Sequence, residues 1–148
     1  MPIEKILIAY DESDSSKRAL DRAVEEARAH HGRITVLAVA ELPLDPQGPR
    51  NFGTLGDIGA WEGQPLEAPP EVVDHLAEAR DRLAEARVPV DLAWATGTPA
   101  RAIVDTARDL HARLIVVGEH HHSLLGRFFG ADTADEVQKQ SGCDVLVA

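Results

Sequence analysis

The chain has 148 residues and a formal charge of −10, from 15 Lys and Arg against 25 Asp and Glu. That length suits one domain with an adequate core, and a hydrophobic fraction of 44% excludes wholesale disorder. So acidic a surface repels phosphate backbones, which excludes nucleic acid as a general partner.

The single cysteine, Cys143, rules out an intramolecular disulfide framework and a Cys-based zinc cluster. No apolar run approaches the ~18–20 residues of a membrane span, so no membrane partner is expected. Met1-Pro2-Ile3-Glu4-Lys5 runs directly into a strand-like segment without the layout of a signal peptide. The expected location is the cytoplasm.

Ile6-Leu7-Ile8-Ala9-Tyr10 is a short apolar run of the kind found in strands covered on both faces. Asp11 to Ser16 follows, rich in side chains that cap helix starts. Ala19, Leu20, Ala23, Val24 and Ala27 then recur on one helical face, and Gly32 is the expected stop. Ile34 to Ala40 predicts the second strand. Residues 41–70 break this rhythm with six of the nine prolines and five of the eleven glycines. Such composition sustains neither a helix nor a central strand, so this insert reads as a long excursion.

A helix is predicted from near Pro70, with Val72, Val73, Leu76, Leu83 and Ala84 as its apolar stripe. Pro89 opens a third strand, Val90 to Ala95. In Gly97-Thr98-Pro99, Thr98 is placed to cap a helix and Pro99 to occupy its first position. Ala102, Ile103, Thr106, Ala107 and Leu110 form that helix's inner face. Leu114 to Val117 is the fourth strand, 118–131 a loop, about 133–141 a short helix, and Val145-Leu146-Val147 the last strand.

Five strands alternating with four helices predict an α/β fold. The expected architecture is one domain over 1–148, an open, doubly wound parallel sheet with helices on both faces. Ligands of such sheets sit beyond the carboxyl ends of the strands, where the strand order reverses. Asp11, residues 39–41 and the 118–133 loop are therefore expected around one crevice.

At this point the chain resembles the universal stress protein family over essentially its full length. Lys5-Ile6-Leu7-Ile8-Ala9-Tyr10-Asp11-Glu12-Ser13 resembles the family's opening strand and Asp, and Thr35 to Val39 its second strand. Gly97-Thr98-Pro99-Ala100 matches its Gly-x-Pro turn, Leu114 to Gly118 the strand before its nucleotide loop, and Gly142 to Val147 its closing strand. The resemblance implies an adenine-nucleotide crevice. Its candidate lining is Ala9, Tyr10, Asp11, Val39, Val117, Gly118, His120, His121, Arg127, Gly130, Ala131, Asp132 and Thr133.

Nucleotide-binding members of the family carry Gly-x2-Gly-x9-Gly-Ser/Thr after the fourth strand. Without gaps, Gly118 keeps the first glycine, while His121, Ala131 and Asp132 replace the other three positions. Glycines admit phosphates close to backbone N–H groups, and a helix start supplies further donors. His121 brings a ring to that approach. Asp132 reads as a cap on its own helix, with its carboxylate where a phosphate would lie. Between Gly118 and Asp135 the formal balance is −2, from Glu119, Asp132 and Asp135 against Arg127. The usual ATP triphosphate site is expected to be lost. The adenosine end keeps Ala9, Asp11 and Val39, so an AMP-like ligand or a rearranged loop around Gly126 and Gly130 remains an alternative.

His120-His121-His122 is the most unusual local feature. In an extended loop His120 and His122 share one side, but consecutive histidines rarely converge on one ion, so metal is not the expected cofactor. The run also reads as a pH-sensitive loop, since three protonations carry its balance from −2 to +1. Leu124, Leu125, Phe128 and Phe129 in the same loop read as anchors to the domain or as a contact for an unidentified protein partner. No Gly-x-Ser-x-Gly elbow, P-loop, triad or paired-carboxylate motif occurs, so catalysis is not expected beyond a slow ATPase. The chain ends inside its last strand. That edge (Val145, Leu146, Val147) predicts a homodimer, as the family resemblance also implies.

Overall fold

The computed structural model describes residues 4–40, 52–55, 69–118 and 131–148, with backbone alone for 52–55 and 131–133. Its sheet is built from β1 (Lys5–Ala9), β2 (Arg33–Ala40), β3 (Phe52–Leu55), β4 (Val90–Thr96), β5 (Leu114–Val117) and β6 (Asp144–Val147), in the order β3-β4-β2-β1-β5-β6. The five predicted strands are all parallel to their neighbours, in a doubly wound arrangement. β3 comes from the Pro/Gly-rich insert and adds a strand beyond those five. It pairs antiparallel with β4, Phe52 opposite Ala95 and Leu55 opposite Leu92. Phe52–Leu55 itself contains no proline, so it can pair along β4 at the sheet's edge although the surrounding insert is Pro-rich.

Among the described residues, four helices cover the sheet: α1 (Asp14–His30), α2 (Pro70–Leu83), α3 (Pro99–Leu110) and α4 (Ala131–Gln140). Because strand side chains alternate, the apolar runs feed two cores. Ile6, Ile8, Tyr10, Ile34, Val36, Leu92 and Trp94 pack with α1 and α2 on one face. Leu7, Ala9, Leu37, Val39, Ala93, Ile115 and Val117 pack with α3 and with Val137 of α4 on the other. With few aromatic side chains to fill space, Ala19, Ala23, Ala27 and Ala79 let α1 and α2 lie close to the sheet.

Several local details differ from the sequence reading. Helix α1 ends through His31, which takes the left-handed conformation at φ 53°, one residue before Gly32. Thr98 occupies the N-cap of α3, but its side chain makes no capping hydrogen bond; Pro99 takes the first helical position. Val73 points outward, 42% exposed, and Ala84 is exposed beyond the end of α2. Helix α4 starts at Ala131, so Asp132 falls within its first turn rather than on the cap.

Candidate functional site

β1 and β5 are neighbours, yet the chain leaves β1 towards β2 on one side and β5 towards β6 on the other. Their carboxyl ends therefore flank the switch point of the sheet, where strands splay their connections apart and open a crevice. Ala9 and Tyr10 close β1 there, Val117 and Gly118 close β5, and Val39 lies near the end of β2.

These residues divide between the faces. Ala9, Val39 and Val117 are buried together in the core on the α3/α4 side. Tyr10 is buried on the opposite side, under α1 and α2. Its backbone stays at the end of β1, where its N–H donates to the Leu37 carbonyl at 2.9 Å.

Asp11 is held in a braced turn. Its Oδ1 accepts from the Ser13 N–H at 3.0 Å and from the Ser13 hydroxyl, and its own N–H donates to Ser16 Oγ at 3.3 Å. Ser13 is the N-cap of α1, its Oγ accepting from the Ser16 N–H at 3.1 Å. The predicted capping cluster thus caps the helix and fixes the Asp11 carboxylate as well. Oδ2 makes no hydrogen bond among the described residues and keeps its acceptor capacity.

Gly118 lies hard against that same turn. A Cβ added there would sit 2.6 Å from the Ser15 carbonyl carbon, 2.7 Å from its oxygen and 2.8 Å from its Oγ. The first glycine of the loop therefore lets β5 end against the start of α1, whatever else it admits.

On the other side of β1 is a polar cluster that the sequence reading did not identify. The Tyr10 hydroxyl donates to Glu78 Oε1 of α2 at 2.5 Å. Glu12, at φ 64°, hydrogen-bonds the same Glu78 carboxyl and lies 3.4 Å from His75 Nε2. Two carboxyls sharing a hydrogen bond require one proton between them. That bond, with burial and the nearby Glu78 and Asp74 charges, pushes Glu12 up to about 7. Glu78 is held below the usual carboxylate range by Glu12 and, after it, by Tyr10, Lys17 and Arg82. Burial depresses His75 despite the surrounding acids, so its imidazole is neutral at pH 7. The Tyr10 phenol is pushed up by burial and by Glu78, and stays protonated.

His120, His121, His122, Arg127 and Gly130 lie outside the described residues. Ala131, Asp132 and Thr133 form the first turn of α4. Among the described residues no group of three or more His, Cys, Asp or Glu side chains is placed to hold a metal ion. No described helix is long and apolar enough to cross a membrane. Val145, Leu146 and Val147 form the edge strand β6, half-buried, hydrogen-bonded to β5 on one side only.

Comparison with known proteins places this architecture. Residues 2–148 match the universal stress protein family. Universal stress protein YxiE of Bacillus subtilis is 30% identical over 151 residues, covering 97% of each chain. The fold superimposes on a universal stress protein crystallised in complex with cAMP (TM-score 0.70, 24% identity, covering 100% of this chain and 98% of that one). It also superimposes on an Arabidopsis thaliana family member with AMP bound (TM-score 0.63, 19% identity, covering 97% and 90%). A family match over nearly the whole chain and a relative at 30% identity agree with this fold, and the chain belongs to the universal stress protein family.

Proposed function

We propose that this chain is a ligand-sensing regulatory protein that takes an adenosine or adenosine-monophosphate group at its β1–β5 crevice without using a triphosphate. The observation that carries this reading is the Asp11 turn. One carboxylate oxygen is committed to Ser13 while the other makes no hydrogen bond among the described residues and can accept from a ligand hydroxyl, at the end of the strand whose Ala9 is buried with Val39 and Val117. A side-chain oxygen acceptor at a crevice lined by small side chains suits a ribose and a flat base. The cAMP and AMP bound by the two structural neighbours support the same ligand class.

The chemistry of the loop argues against a triphosphate. His121 and Ala131 stand where glycines admit phosphate, Asp132 replaces the hydroxyl residue in the first turn of α4, and the loop segment is net negative. Each added phosphate charge meets repulsion in a partly desolvated crevice. The protein binds and signals rather than hydrolyses.

The active unit in this proposal is a homodimer joined through β6. Its support is the one-sided hydrogen bonding of that edge and the half-buried Val145, Leu146 and Val147 upon it. Light scattering at micromolar concentration is expected to give twice the chain mass, and Leu146→Lys to give the single chain. A wild-type monomer removes this part of the reading.

Thermal-shift titration with AMP, cAMP, ATP and zinc tests the function. A ligand at ~100 times its Kd stabilises the fold by ~2.7 kcal/mol. AMP or cAMP is expected to shift the transition and ATP to do no better. A shift with zinc alone would transfer the function to the histidine run instead.

A further inference from the structure

At the far end of the sheet from the crevice, where the strands begin, a cleft of about 380 Å³ opens between the end of α1 and the segment entering β4. Its lining includes Arg28, His31, Arg33 and Arg87, with Val88 and Pro89 as an apolar side. Such a gathering of cations is notable on a chain of net charge −10.

The arginines are not equivalent. Arg33 is neutralised by a bidentate pair with Asp91, at 2.5 and 2.8 Å. Arg28 donates to the Ala86 carbonyl at 3.0 Å, which pins it beside the residue that precedes Arg87. Neither Arg28 nor Arg87 has a carboxylate partner among the described residues. Arg87 holds a left-handed backbone at φ 57°, a conformation unusual for a long side chain, and lines the cleft. Two planar guanidinium forks with unmatched charge, set beside an apolar wall, match a phosphate attached to a carbon body.

We propose that this cleft is a second ligand site, distinct from the crevice, which binds a small phosphate monoester. Arg28 and Arg87 grip the phosphate, and the organic part lies along Val88 and Pro89. The Arg33–Asp91 pair supplies a fixed, charge-balanced border. The site does not depend on what the crevice binds.

Amide NMR titration of the full chain with phenyl phosphate, and separately with inorganic phosphate, tests the assignment at low and at physiological salt. Phenyl phosphate is expected to shift the amides of Gly32 and Val88, to bind several-fold tighter than inorganic phosphate, and to weaken with salt. Arg28→Ala with Arg87→Ala is expected to lower that affinity at least tenfold, with Arg28→Lys and Arg87→Lys retaining part of it. Arg101→Ala, on the exposed face of α3, is the control and leaves it unchanged. The proposal fails if millimolar phenyl phosphate moves neither amide, or if the double alanine variant binds equally well; the arginines then serve only to complement the end of α1. Equal affinity for the two probes overturns the monoester assignment. Shifts at Asp11 and Gly118 with AMP report the crevice separately, so failure of one site is not mistaken for failure of the other.

Discussion

Gly118→Ala separates a glycine kept for packing from one kept only for a ligand. Gly118 is not among the residues with positive φ, so alanine meets no backbone penalty there. Where the new methyl group fits, such a change stabilises by about 0.4–1 kcal/mol through the unfolded chain. Here the Cβ lands 2.6–2.8 Å from three atoms of Ser15, two of them backbone, so no side-chain rotation relieves the contact. The first turn of α1 has to retreat from the end of β5, and overpacking of this kind costs about 1–3 kcal/mol. At about 2–4 °C per kcal/mol for a chain of this size, Tm is expected to fall by roughly 2–12 °C. Gly142→Ala is the internal control, because nothing lies within 4 Å of its added Cβ; its effect is expected within about 0.5 kcal/mol. Thermal unfolding followed by circular dichroism measures both. A Gly118→Ala protein as stable as wild type, or more so, refutes the claim that Ser15 requires this glycine. Because Ser15 shares the braced turn with Asp11, the variant is also expected to weaken AMP binding.

Other expectations follow from the polar contacts. Tyr10→Phe removes the donor to Glu78 while leaving Lys17 and Arg82 beside that carboxylate, and urea unfolding should show a loss of about 1 kcal/mol. Glu12, raised to about 7, contributes stability that is complete below its unfolded value and is lost as pH rises through 7. Glu78, depressed, contributes in the opposite sense, with stability present above its unfolded value and lost as acid protonates it. Stability from this pair should therefore be greatest near the ordinary carboxyl value of about 4.5 and decline as pH rises from there to about 7. The Glu12 side chain is 36% exposed, so screening reduces the decline to about 1 kcal/mol. Glu12→Gln, which keeps a donor without a proton to lose, should flatten the urea midpoint over that range; an unchanged slope would contradict the shared proton. Asp91→Asn breaks the bidentate pair joining β2 to β4 at half-exposed positions, and should cost about 0.5–1 kcal/mol at low salt and less at high salt.

The parallel sheet was readable because its strands are continuous apolar runs and its helices carry one-sided stripes, both imposed by burial on two faces. Ile6 to Tyr10 and Leu114 to Val117 read plainly as buried strands, but only their pairing in the structure puts the switch point between them. Strand β3 escaped because Phe-Gly-Thr-Leu has neither length nor alternation; its partner β4 supplies the ladder that holds it. The two roles of Gly118 were also beyond reach, since the contact with Ser15 joins residues a hundred positions apart. The same holds for Glu12 and Glu78. Each reads as a solvated acid on a helix or turn, and only the packing of α2 over Tyr10 brings the carboxyls together. Asp11 and its serines were legible as a capping cluster, but the division of labour between its two oxygens required the turn's geometry.

The central claim is that the crevice recognises the adenosine end of a nucleotide and gains nothing from the β- and γ-phosphates. Isothermal titration calorimetry with AMP and ATP under one buffer and salt tests it most directly. The account predicts that AMP binds, that ATP binds no more tightly than AMP, and that Asp11→Ala weakens AMP at least tenfold. ATP binding ten times more tightly than AMP would contradict it, as would an Asp11→Ala protein with undiminished affinity for AMP.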